Sequence, residues 1–120
     1  MISYELAKQL KDAGFPLEKV QQYLYDANVD KVFRILHPGK PEVIIDVDGR
    51  EHIYTWEYSF AYPLPTLEEL IEACEEKARF ISLDNKRQGG KMWRAWSRIR
   101  HFDGMGFSPS EAVARLWLAL

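Results

Sequence analysis

The sequence predicts an α+β fold: a small antiparallel sheet built from two hairpins and packed against three or four helices. Three observations carry that expectation. Segments 3–13 and 108–120 repeat apolar residues at helical spacing between recognisable caps. Thr66 and Glu69 form the Thr-x-x-Glu of a capping box and open another helix. Asp48-Gly49 separates two β-rich runs, a strong short-range hairpin signal. With 120 residues, a single domain spanning 1–120 is expected, long enough to bury a core without disulfide or metal.

The first helix runs from Ser3 to Ala13, with Leu6, Ala7, Leu10 and Ala13 on its apolar face. Gly14 stands at C′ and Pro16 blocks continuation, so Phe15 is placed to touch Leu10 in a Schellman motif. Residues 17–36 read two ways. Val20, Tyr23, Leu24 and Ala27 have helical spacing, and Val29, Val32, Phe33 and Leu36 continue it. Phe33 and Ile35 could instead begin a strand. The helix is the favoured reading. Residues 37–41, His-Pro-Gly-Lys-Pro, break the chain.

The first hairpin pairs 42–47 with 50–56. A two-residue turn would set Asp46 against Glu51. A three-residue loop with Gly49 at a bulge sets Asp46 against Arg50, and cross-strand charge favours it by a few tenths to about 1 kcal/mol. Residues 57–64 are aromatic and irregular, suited to an extended edge. Helix 66–77 follows, with Leu67, Leu70, Ile71 and Cys74 facing the core and Glu68 and Glu69 at its positive end. The second hairpin spans 79–83 and 91–99, joined by a polar turn, and 101–106 leads into the last helix. There Ser108 is the N-cap, Pro109 suits the first position, and Phe107 stands where a hydrophobic staple begins. Ala112, Val113, Leu116, Trp117 and Leu120 make one apolar face.

Composition narrows the function. Hydrophobic residues make up 47% of the chain, which argues against disorder. A lone cysteine, Cys74, cannot form an internal disulfide and suits a reducing, cytoplasmic setting. No apolar run reaches the ~18 residues of a membrane span. Charge is unevenly placed. Residues 41–78 carry ten acids against two bases, and 79–120 carry eight bases against three acids, giving −8 and +5.

No catalytic constellation emerges. Val43-Ile-Ile-Asp-Val-Asp-Gly49 is similar to the nucleophile motif of haloacid-dehalogenase-type phosphatases, in which Asp46 and Asp48 would serve as nucleophile and acid/base. That fold needs a longer chain and a parallel sheet, whereas this run leads straight into a return strand. Cys74 lies on an apolar helix face followed by two acids, the setting of a structural cysteine. His37, His52 and His101 are scattered, so neither metal nor cofactor is expected. Gly89-Gly90 lacks the Gly-Lys-Ser/Thr of a phosphate loop.

The remaining candidate is the basic-aromatic segment 86–101. On a strand, Lys91, Trp93, Ala95, Ser97 and Ile99 share one face. Met92, Arg94, Trp96, Arg98 and Arg100 share the other. Three arginines around a tryptophan suit phosphates and stacked bases, so Lys91, Arg94, Trp96, Arg98 and Arg100 form a candidate nucleic-acid surface. The favoured reading is a solvated face whose arginines meet the acidic stretch Glu68 to Glu76.

Two segments also carry a resemblance. Residues 62–74, YPLPTLEELIEAC, and 106–120, GFSPSEAVARLWLAL, are similar to a group of small uncharacterised phage and prophage proteins. Residues 8–16, KQLKDAGFP, are similar to their usual opening. The hairpin followed by a Ser-Pro-x-Glu-Ala helix is also similar to the folding unit of HicB-type antitoxins. The phage resemblance covers about a third of the chain and implies ancestry rather than an activity. The expectation is a non-enzymatic, phage-associated protein-interaction module. Its partner is another protein or a second copy of the chain, met through Trp117 and Leu120. Nucleic-acid binding through 86–101 is the alternative.

Overall fold

A computed structural model of the chain describes residues 1–39, 42–54, 60–99 and 101–120. Among them lie three α-helices: α1 (Tyr4–Asp12), α2 (Leu67–Lys77) and α3 (Pro109–Ala119). Eight strands accompany them: β1 (Tyr23–Asp26), β2 (Lys31–His37), β3 (Glu42–Ile45), β4 (Glu51–Tyr54), β5 (Ala61–Leu64), β6 (Ile81–Arg87), β7 (Met92–Ser97) and β8 (Asp103–Gly106). They form two antiparallel sheets, ordered β4-β3-β2-β1-β5 and β6-β7-β8. The class is α+β, but the expected single small sheet of two hairpins is replaced by two sheets of five and three strands.

The largest correction falls on residues 17–36. The favoured helix is absent. A single 3-10 turn at Leu17–Lys19 is followed by the β1–β2 hairpin, with Tyr23 opposite Arg34 and Asp26 opposite Lys31. The reason is burial on both faces. Leu24 and Tyr25 point to opposite sides of β1, yet both are buried, because β1 lies inside the sheet between β2 and β5. A strand covered on both sides loses the apolar–polar alternation that would identify it. The reversal is polar: the Asp26 carboxylate accepts the Asn28 N–H, and Asp30 adopts φ +53.

The second correction is β8, which had been read as a connection. Two of its four residues are glycine, so it has no side-chain alternation to read. Those glycines are required by α3. A Cβ on Gly104 would lie 2.3 Å from the Leu116 backbone nitrogen and 2.4 Å from the Ala112 oxygen. The helix therefore rests directly on strand backbone.

Elsewhere local rules hold. Ser3 accepts the Leu6 N–H to cap α1, and Phe15 N–H reaches Leu10 C=O at 2.9 Å while Gly14 N–H reaches Lys11 C=O, closing the Schellman motif. Thr66 and Glu69 exchange both capping-box bonds. Asp46 N–H donates to Arg50 C=O across the β3–β4 turn, and Ile45 lies opposite Glu51, the three-residue register. The expected second strand of that hairpin continues to 56, but residues 55 and 56 lie outside those described. So do 57–59 of the expected edge segment, whose remainder supplies β5 on the sheet edge.

One apolar cluster ties these pieces together. Leu6 and Leu10 of α1, Leu64 of β5, Leu70 and Cys74 of α2, Ala95 of β7, and Val113, Leu116 and Trp117 of α3 all belong to it. A smaller cluster of Leu24, Ile35 and Ile44, flanked by Phe33 and Tyr54, sits on the other face of the five-stranded sheet. The segment after α1 is tied to α2 by Lys19, whose ammonium pairs with both Glu72 and Glu76, and by the Gln21 N–H to Glu69.

Candidate functional site

The terminal helix is covered by its own chain. Trp117 is 4% exposed. The Phe15 ring meets it edge-on at 4.9 Å, and the Lys77 ammonium lies 3.6 Å above its centroid. Ala112, Val113, Ala114 and Leu116 are buried with it, and Leu120 is half-buried. A partner could read Trp117 only by unpacking α3.

The carboxylate and thiol candidates have structural work. Asp46 accepts the Asp48 and Arg50 N–H groups, each at 2.9 Å, and pairs with His52 Nε2 at 2.8 Å. The His52 bond first, then the backbone donors, hold its pKa down to about 2. Its oxygens thus staple the β3–β4 turn. The Cys74 thiol faces the Val113 carbonyl at 3.5 Å, and burial pushes its pKa up to about 12, so it is no ready nucleophile. Among the described residues no His, Cys, Asp and Glu group is arranged to hold a metal ion. No helix among them is long and apolar enough to cross a membrane.

The three-stranded sheet remains. α3 covers one face, where Ala95 and Ser97 are buried. The opposite face presents Ser82 and Asp84 of β6, Arg94 and Trp96 of β7, and Asp103 and Met105 of β8, neighbours in the ladder. The faces divide as the strand period dictates. Arg94 and Arg98, however, do not meet α2. Arg94 Nε donates to Asp103 at 3.1 Å and its guanidinium lies 4.8 Å from the centre of the Trp96 ring. Arg98 Nε donates to Ser82 Oγ at 2.9 Å. The acids of α2 answer Lys19 instead. Arg100 lies outside the described residues, and Lys91 sits at the far end of the sheet, at the β6–β7 tip.

The fold thus splits one stretch of sequence into a centre and two ends. The centre is charge-balanced, since Asp84 and Asp103 flank Arg94. One end, where β6 starts and β7 returns into β8, carries Phe80, Ile99 and Phe102, which are 65%, 56% and 44% exposed. Backbone bonds from Arg98 N–H to Phe80 C=O and from Ser97 N–H to Phe102 C=O bring them together. Phe80 and His101 there have φ +62 and +58. The sequence places Ile99 on the strand face of Trp93 and Ala95 and singles out neither Phe80 nor Phe102, because all three fall just outside the strands. Their signal was a large apolar residue in each turn of a polar hairpin. The other end carries Lys86, Arg87 and Lys91, and Phe107 follows β8 at the same end. Phe107 is 74% exposed, so the expected staple onto Ala112 is not made; Ala112 is turned instead onto the Gly104 backbone.

An open cleft of about 640 Å³ is lined by Phe15, Leu17, Val20 and Pro38, with buried Glu42 in its wall. Compared with known proteins, the chain matches no family model, no curated protein and no solved structure.

Proposed function

We propose that the protein is a non-enzymatic protein-interaction module. It binds through the Phe80–Ile99–Phe102 end and adjoining outer face of the three-stranded sheet. The observation that carries this reading is Phe80. It combines 65% exposure with φ +62, so its ring gains little from burial and its backbone sits in a conformation that costs an L-residue about 1–2 kcal/mol. Neither feature benefits the isolated chain. Both are explained if the ring is held out for a partner that buries it.

The composition fits a protein partner better than a nucleic acid at this place. Exposed aromatic rings beside Arg98, Met105 and Trp96 match the residue types enriched in protein interfaces. A phosphate track through Arg94 would run between Asp84 and Asp103, and Arg94 is already engaged by Asp103. A photo-crosslinking residue at Ile99 tests the assignment. It should capture one discrete protein that untagged wild type competes away and that Phe80→Ser/Phe102→Ser does not. Labelling that both competitors abolish equally would place the contact elsewhere.

A further inference from the structure

The opposite end of the same sheet carries a different chemistry, on residues the protein-contact end does not use. We infer that the β6–β7 tip binds the phosphodiester backbone of single-stranded nucleic acid, with an unpaired base stacked on Phe107. Strand β6 brings Lys86 and Arg87 to the tip, and β7 leaves it from Lys91. All three are exposed, and none has an ion-pair partner among the described residues. The contrast is with Lys19, Arg94 and Arg115 elsewhere in the chain, each of which meets a carboxylate.

Tight reversal concentrates these charges. Gln88, Gly89 and Gly90 take φ +52, +65 and +87 in succession, so the chain turns within three residues and the cations stand a strand spacing apart. The nearest acid in sequence, Asp84, lies opposite Arg94 in the ladder, and its carboxylate accepts the Lys86 backbone N–H at 3.4 Å rather than pairing with any of the three cationic groups. Phe107 is placed by register. Gly106 is opposite Trp93, next to Met92, which in turn is opposite Arg87. An exposed ring therefore stands at the same end of the sheet as three cations without an ion pair among the described residues, across β7 from Arg87. Cations alone would serve any polyanion; the ring adds a flat apolar surface that only an unpaired base can use.

The test is fluorescence anisotropy of labelled oligothymidine and oligouridine over a salt series, with duplex DNA and polyglutamate as competitors. Three phosphate contacts should give a log–log salt slope of roughly −2. Lys86→Gln/Arg87→Gln/Lys91→Gln should abolish it. Phe107→Ala should weaken binding about 5-fold or more while leaving the slope unchanged. These side chains are exposed, and unchanged circular dichroism confirms that the variants fold. Absence of salt-dependent binding overturns the proposal, as does binding that survives the triple substitution. Polyglutamate or duplex competing as well as the single strands, with Phe107→Ala neutral, also overturns it. Phe80→Ser/Phe102→Ser should bind oligonucleotide normally, so failure here and failure of the protein-contact reading are separable.

Discussion

The two sheets meet the same core in opposite ways. The five-stranded sheet buries β1, the strand beside its β5 edge, in apolar contacts on both sides, with the main cluster taking Tyr25 and Leu64 and the smaller cluster taking Leu24 and Ile44. The three-stranded sheet packs one face against α3, with α2 beside β6, and leaves the other face half-open to water. The first is a structural slab; the second is a display surface. Position in the core, rather than strand composition, decides which sheet can present side chains to a partner.

Core deletions test that division most severely. Leu116→Ala removes a fully buried side chain from the helix that both regions share and should cost about 2–5 kcal/mol. Ile44→Val, in the smaller cluster, should cost about 1 kcal/mol. Urea unfolding followed by tryptophan fluorescence and by circular dichroism should give coincident transitions for both variants. Separate transitions would mean that the sheets fold independently.

Two glycine substitutions sharpen the comparison. Gly104→Ala drives a methyl into α3 backbone and should cost about 3 kcal/mol. Gly49→Ala, in the first sheet, meets open space and incurs only the penalty of φ +80, about 1 kcal/mol. Equal losses would contradict the direct seating of α3 on β8.

A smaller effect of opposite sign is expected at the display surface. Phe80→Gly relieves φ +62 but loosens the unfolded chain, so stability should hold or rise by up to about 1 kcal/mol while partner capture is lost. A clear loss of stability would show that the ring has intramolecular work.

The smallest effect belongs to the β3–β4 turn. With its folded pKa near 2, below the ordinary carboxylate value, Asp46 favours the folded state above about pH 4. That contribution drains away as the pH falls from about 4 toward 2. Asp46→Asn should therefore lower the unfolding midpoint at neutral pH, and the gap from wild type should close at low pH. A gap that persists at pH 2 would exclude the His52 bond as its source.

What the sequence made legible follows the same physical line. Helices α1, α2 and α3 were readable because caps are local: Ser3, Thr66 and Ser108 act on nitrogens three residues away. Strand β7 was readable because one of its faces is wet. The β1–β2 hairpin was hidden because β1 is buried on both faces and so lacks alternation, while the apolar residues of both strands also fit helical spacing. Strand β8 was hidden because its glycines serve a helix that arrives later in the chain. At the candidate site, the alternation of Arg94, Trp96 and Arg98 was legible. The pairing of Arg94 with Asp103 was not, since ladder partners across β7 and β8 depend on the register of those two strands. For the same reason Phe80 and Phe102, far apart in sequence, could not be seen to share an end.

The seating of α3 has a consequence for biosynthesis. Each of the other described elements is synthesised before the helix that joins them. At about 5–20 residues per second, roughly ten seconds separate the emergence of α1 from that of α3. In that interval Leu10, Leu70 and Ala95 lack the surface they finally pack against. The hairpins can close on their own, but the shared core cannot. A nascent chain stalled before residue 109 should thus be protease-sensitive and a substrate for holding chaperones, with resistance appearing in one step once α3 is free to dock on Gly104.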